Sequence, residues 1–319
     1  MNIQELSQRI EQEAGKVIVG KNDRIRLIIM TVLSGGHVLL DDLPGVGKTT
    51  LVRTISLALG CSFNRIQFVS DLLPSDILGM QFYNQKLGDF QLRKGPIMTN
   101  LLLADEINRA IPRTQSALLE AMEEGQVSID GQQFALPQPF MVLATQNPVE
   151  MESTFKLPAA QMDRFLIRLS MGYPAPEEER EMLRLVGDAI PFDTVQAVTN
   201  AEELMKARAE IAKVHVSDAA ADYIIALTGA TRSHPQLRMG ASPRASRALY
   251  KAAKAWAAME GRDYVTTDDI RTLAHPVLEH RLVTDSSSRL SGATAASVLD
   301  EILAAVPATP SAEQVIHEK

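Results

Sequence analysis

The chain has a single cysteine, Cys61, among 319 residues. No intrachain disulfide can form, and the count argues against a cysteine-based metal site. A lone thiol of this kind is expected to be buried and inert. The six histidines lack metal-ligand spacing, and His280, in Glu279-His280-Arg281-Leu282, is expected to be structural. Aromatic residues make up only 5%. Alanine is abundant after residue 200, which predicts a helical second half. There is no basic excess. The formal net charge is −7, so nothing suggests a strongly basic nucleic-acid binder. No apolar run is long enough to span a bilayer. The longest, residues 27–40, is broken by Ser34, Gly35, Gly36 and His37. Residues 1–14 mix acids and amides and contain no signal-peptide core, so a cytoplasmic location is expected. No internal repeat is visible. A hydrophobic fraction of 45% and a charged fraction of 22% are ordinary for a soluble globular protein long enough for two domains.

Ile3, Leu6, Ile10 and Ala14 recur at helical spacing and predict an opening amphipathic helix. A second helix is expected over 23–33. The apolar strand 37–40 then runs into Gly45-Val46-Gly47-Lys48-Thr49-Thr50, with a helix from 48 to 59. Strands are also expected at 65–69, 100–104 and 140–145, and a helix at 112–124. Asp130-Gly131, between two short alternating runs, predicts a hairpin. Residues 70–96 look irregular. Strands alternating with helices predict an α/β fold with a parallel, three-layer sheet. At Tyr173-Pro174-Ala175-Pro176 the character changes. Ser217, Ser242 (followed by Pro243) and Thr266 look like helix N-caps. The expected organisation is an α/β nucleotide-binding domain over 1–172, an all-α helical domain over 173–305 without convincing strands, and a disordered tail over 306–319.

Two signals carry chemistry. The first is the Gly45–Thr50 loop between a strand and a helix, the context in which backbone N–H groups and a helix N-terminus surround phosphates. Glycine permits the close approach. Gly45, Val46, Gly47 and Thr50 would wrap the phosphates. Lys48 would reach the β- and γ-phosphates of ATP, and Thr49 would hold Mg²⁺. Asp42 stands where the first glycine of the phosphate-loop pattern is expected. The second signal is Leu101-Leu102-Leu103-Ala104-Asp105-Glu106, an apolar strand delivering two acids at its carboxyl end, where open α/β sheets bind ligands. Asp105 would hold the Mg²⁺ shell and Glu106 would act as the base on the attacking water.

Four further stretches occur in order. They are Ala104-Asp105-Glu106-Ile107-Asn108-Arg109-Ala110, Gln115-Ser116-Ala117-Leu118-Leu119-Glu120-Ala121-Met122-Glu123-Glu124, Ala144-Thr145-Gln146-Asn147-Pro148 and Gln161-Met162-Asp163-Arg164-Phe165. From about residue 15 to 285 the chain resembles the MoxR family of AAA+ ATPases. Ser153 and Ala159 depart from that pattern, which expects Gly and Glu there. The resemblance implies that Asn147 is sensor 1, Arg164 an arginine finger reaching a neighbour's ATP, and Arg244 sensor 2 on the helical lid. It also implies that Val19 and Gly20 contact the adenine. Arginine suits these roles because its planar fork is always charged. The Asp130-Gly131 hairpin resembles the insertion before sensor 1, and residues 70–96 resemble the helix-2 insertion; both are expected to face a ring pore.

The resemblance implies an ATP-hydrolysing remodelling chaperone. It would work as a homo-oligomeric, hexameric ring on protein clients, with a von Willebrand factor A-domain protein as partner and no membrane insertion. A nucleic-acid motor of the same clade is the alternative, but residues 126–136 contain no Lys or Arg, and such a motor needs cations along the strand it tracks. In the other insertion Lys86, Arg93 and Lys94 are balanced by Asp71, Asp76 and Asp89. An ATPase subunit of a metal chelatase stands close in motif and fold. A scaffold that binds ATP without turnover is disfavoured by Glu106.

Overall fold

The computed structural model describes residues 2–41, 45–146, 154–186 and 190–307. Two helices open the chain, α1 (Ile3–Gly15) and α2 (Asn22–Ser34), followed by β1 (Val38–Asp41) and α3 (Lys48–Ala58). Then come β2 (Phe63–Gln67), a short α4 (Pro74–Leu78), β3 (Gly79–Asn84), β4 (Asp89–Lys94), β5 (Leu101–Asp105) and α5 (Pro112–Glu124). The strands β6 (Gln126–Ile129), β7 (Gln132–Ala135) and β8 (Met141–Gln146) follow, with a short α6 (Ala159–Met162) and β9 (Ile167–Leu169). The rest is mainly helical: α7 (Pro176–Val186), α8 (Ala201–Ile211), α9 (Asp218–Ser233), α10 (Pro243–Met259), α11 (Thr267–Leu278), α12 (Ser286–Leu290) and α13 (Ala295–Ala305). Two short strands lie among them, β10 (Leu237–Met239) and β11 (Val283–Thr284).

The central sheet has the order β2-β5-β8-β1-β9 and every pairing is parallel. Its inner strands β1, β5 and β8 are buried on both faces, as such sheets require. Alternate residues go to opposite sides: Leu101, Leu103, Met141 and Leu143 join one apolar cluster, and Leu102, Ala104, Val142 and Ala144 the other. The first cluster runs without a break through α1, α2 and α3 into Leu204, Leu227, Leu249 and Leu273 of the later helices. Alanines of α10, including Ala245, Ala252 and Ala253, are fully buried there. That explains the alanine richness: small side chains let helices approach closely. The second cluster is closed by Leu118, Leu119 and Met122 of α5.

Three expectations need correction. Residues 70–96 are not irregular: they hold α4 and the antiparallel β3–β4 hairpin, in register from Gly79↔Lys94 to Asn84↔Asp89. Beyond residue 173 there are strands, the antiparallel pair β10–β11. The sheet also has a fifth strand, β9, which the sequence did not suggest. The caps are as expected. Ser217, Ser242 and Thr266 accept hydrogen bonds from Ala220, Ala245 and Asp269, and Asp269 returns the bond to Thr266 as a capping box. Cys61 is half-buried, and burial pushes its thiol up to about 11, which leaves it an inert thiol at neutral pH. His280 is buried with Nε2 against the Phe165 carbonyl at 3.2 Å, a packing role.

Candidate active site

The carboxyl ends of β1 and β5 face one cleft of about 380 Å³, lined by Gly45, Gly47, Lys48, Thr49, Thr50, Arg65, Gln67, Asp105 and Glu106. Gly45 and Gly47 sit at φ +84° and +81°, a region open to glycine and costly for other residues. Gly47 is also the N-cap of α3, so the free N–H groups and positive end of that helix point into the cleft. This geometry can cradle a phosphate. A backbone of two left-handed glycines before Lys48 keeps the loop tight although Asp42, which lies outside the described residues, replaces the earlier glycine.

Asp105 closes β5 and is buried. The Thr145 hydroxyl donates to its Oδ1 at 2.7 Å, and Arg65 on the neighbouring strand β2 donates to its Oδ2 at 2.6 Å. Glu106 follows in the left-handed region at φ +55°, rare for a non-glycine residue and costly by roughly 1–3 kcal/mol where the surroundings enforce it. Its N–H donates to Thr145 Oγ1 at 2.8 Å, which turns the carboxylate toward the cleft. There Gln67 Nε2 and Arg109 Nη1 both donate to Glu106 Oε2 at 2.9 Å. The base expected from sequence is thus tethered by two donors that sequence reasoning missed. Gln67 could have been found from its place at the carboxyl end of β2, beside that of β5. Gln115 fixes the start of α5, its Nε2 donating to the carbonyls of Ile107, Ala110 and Phe155 at 3.0–3.1 Å.

A second, mostly apolar cavity of about 480 Å³ adjoins the first and shares Gly45, Gly47 and Thr50 with it. Val17, Ile18 and Val19 form one wall, and Met171, Tyr173, Met182 and Leu183 another. Its size and lining suit a planar heterocycle. Val19 lines it as expected. Gly20 does not line it; at φ +66° it packs under Glu178, where a Cβ would collide with the carboxylate. Met182 and Leu183 of α7 were not anticipated.

The expected arginines lie elsewhere. Arg164 and Arg244 converge on Glu123 at the end of α5: Arg164 Nε stands 3.2 Å from its carboxylate, and Arg244 Nη2 bonds the other oxygen. They line a cleft of about 370 Å³ with Ser34, His37, Asp163, Arg247, Lys251 and Arg281. That cleft has no lining residue in common with the phosphate cradle. Asp163, preceding Arg164, is held by Arg281, whose Nε donates to Oδ1 at 2.6 Å. Ser242, the cap of α10, donates to the other oxygen at 2.9 Å. The segment bearing Arg164 is therefore pinned to the helix bearing Arg244. Asn147 falls outside the described residues.

The oxygen donors at the cradle fit Mg²⁺. A threonine hydroxyl and a carboxylate that leave room for waters and phosphate oxygens make a hard octahedral set. Arg65 now bonds Asp105, but its side chain is 46% exposed, so it has solvent to move into where a cation takes its place.

The sequence model of the "ATPase family associated with various cellular activities (AAA)" matches residues 37–167, and that of the "AAA lid domain" matches 229–302. YeaC of Bacillus subtilis is 48% identical, with 92% of each chain covered. Chaperone MoxR1 of Mycobacterium tuberculosis is 44% identical over 85% of this chain and 74% of its own. A crystal structure of a protein from Cytophaga hutchinsonii, provisionally designated an ATPase, superposes with a TM-score of 0.90 at 38% identity, covering 96% of each chain. The fold and these relatives agree: the chain belongs to the MoxR family of AAA+ ATPases.

Proposed function

We propose that this chain hydrolyses ATP as a ring, six-membered by the family's habit, and spends the energy remodelling protein clients. A von Willebrand factor A-domain protein is the partner that the family resemblance suggests. One observation carries the ring. The cradle holds Lys48, Thr49, Asp105 and Glu106 together, but Arg164 and Arg244 are gathered at a different cleft. A head-to-tail ring, whose contacts are heterologous, brings the arginine cleft of one copy to the cradle of the next.

In this reading the α3 N-terminus and Lys48 bind the phosphates, and the cavity beside Val19 takes the base. Thr49 and Asp105 would hold Mg²⁺, which when bound neutralises phosphate charge and orients the chain. Glu106 orients the attacking water and accepts its proton, with Asn147 as the polar partner on the other side. Gln67 and Arg109, both donating to Oε2, hold that carboxylate in place. Arg164 and Arg244 supply positive charge from the neighbour as the leaving phosphate separates.

The test mixes two variants, each inactive alone. Glu106→Gln lacks the base, and Arg164→Ala lacks the finger, worth about 10³–10⁵ in rate. In random 1:1 rings about a quarter of interfaces keep both groups, so activity reappears on mixing. Subunits labelled with a donor and an acceptor dye report exchange. Mixed rings that form and stay inactive, in a protein shown to tolerate inactive neighbours, refute an arginine acting in trans.

A further inference from the structure

The arginine cleft holds more charge than the two expected arginines explain. Arg244, Arg247 and Lys251 follow one another at three- and four-residue spacing along a single face of α10, and all three line the cleft. Like charges so placed repel and weaken the helix. Arg164 and Arg244 share Glu123, and Arg281 is taken by Asp163. Among the described residues, no carboxylate lies within ion-pair distance of Arg247 or Lys251. Burial, together with Arg247 and Arg208, holds the Lys251 ammonium below its ordinary range. Beside the Asp163–Arg281 pair, four cations thus face Glu123 in a concave site, the arrangement that concentrates a polyanion.

We propose that Arg247 and Lys251 extend the Arg164–Arg244 pair into a four-cation receptor for the phosphate chain of the ATP held by an adjoining copy, with Glu123 as the anion those phosphates displace. This rests on the ring reading above and adds three residues to it. Glu123 bonds both arginines as a bidentate oxyanion does, so it keeps them paired until a more highly charged ligand arrives. Arg247 and Lys251, with no carboxylate to leave among the described residues, meet that ligand first. The receptor makes ring closure depend on the nucleotide itself and not only on protein contacts.

The experiment reads assembly by sedimentation velocity in a Glu106→Gln background, so that Mg·ATP persists. Charge predicts opposite shifts for two changes. Arg247→Ala/Lys251→Ala raises the ATP concentration for half-assembly roughly tenfold or more, one charged hydrogen bond being worth about that factor. Glu123→Gln lowers it, because no carboxylate competes. A folding defect would move both the same way, and that result overturns the proposal. The affinity of the dilute, dissociated chain for a fluorescent ATP analogue stays the same in both, since the receptor serves the neighbour. An equal loss of association with and without ATP assigns the cleft to a neighbour's carboxylates and also overturns the proposal, as does no shift at all. The Arg164→Ala and Glu106→Gln mixture separates the two readings. Rescue on mixing with unshifted assembly sinks only the receptor, whereas failure of rescue sinks the ring reading beneath it.

Discussion

Asp163→Asn tests the tie between the two halves of the arginine cleft. The Arg281 side chain is only 3% exposed and that of Asp163 19%. Arg281 spans from Asp163 Oδ1 at 2.6 Å to the Phe165 carbonyl at 2.6 Å and the Leu166 carbonyl at 3.2 Å. Burial pulls its pKa down, with a smaller pull from the nearby Arg244 charge, and Asp163 is the group opposing both. Taking away one partner of a buried pair costs roughly 3–5 kcal/mol, because the other charge stays behind uncompensated. Asparagine keeps one acceptor oxygen and Asp163 is not fully enclosed, so the lower end applies. We expect a loss of about 3 kcal/mol in urea unfolding and a fall in Tm of roughly 5–10 °C. Arg281→Met in the same chain removes the stranded charge but also the donor to the Phe165 and Leu166 carbonyls, so the double variant should lose clearly less than the sum of the two single losses, as a coupled pair demands. The segment at Arg164 would also loosen, so hydrolysis should fall while ATP binding holds. A loss below about 1 kcal/mol, or losses that simply add in the double variant, would show that the pair is not the tie described.

Lys48→Ala should abolish ATP binding in an equilibrium titration, whereas Glu106→Gln should bind ATP and not hydrolyse it; wild-type turnover by Glu106→Gln removes it as the base. His37 is buried, its Nδ1 accepting from the Val142 N–H at 3.0 Å and its Nε2 donating to the Met122 carbonyl at 3.1 Å. Burial lowers its pKa to about 4, against about 6.5 unfolded. Protonation is thus excluded from the folded state, and stability present above pH 6.5 is lost as pH falls toward 4. Roughly 2 kcal/mol should disappear between pH 7.5 and 5, and His37→Gln should flatten that dependence in urea melts; an unchanged slope would refute it. Oligonucleotides should neither bind tightly at about 150 mM salt nor stimulate hydrolysis, and stimulation would promote the nucleic-acid motor above the chaperone.

The chemistry that was legible in the sequence is local. Gly45 to Thr50 and Asp105-Glu106 are contiguous, each on the end of a strongly apolar strand, and their spacing declares them. What the sequence hid is assembled across distance. Glu123 meets Arg244 from 121 positions away, and Gln67 meets Glu106 only because β2 and β5 pair. The β3–β4 hairpin escaped notice because most of its apolar residues face no core: Phe82, Tyr83, Leu87 and Phe90 are 43–65% exposed, while Leu92 packs inward. Alternation is a sign of a strand only when one face is buried. Strand β9 spans three residues, Ile167–Leu169, too short for any period, and is held by pairing with β1.

Helix α5 starts three residues after Arg109 and ends one residue before β6, so it is a rod with Glu106 near one end and a hairpin at the other. Thirteen residues make it about 20 Å long. Gln115, bonded to three carbonyls near its start, is a fulcrum. A tilt of roughly 10° about that point, too small to disturb an active site by much, would swing the far end by about 2 Å. Because the Gln81 N–H donates to Asp130 at 3.2 Å and the Gln81 and Gln132 amides meet at 3.2 Å, the exposed aromatic hairpin would travel with the second one. The geometry is that of a lever with a short arm at the nucleotide and a long arm at the aromatic surface. It exchanges force for reach, so a displacement of under an ångström at the Glu106 end would become a stroke about three times as long at the hairpin end.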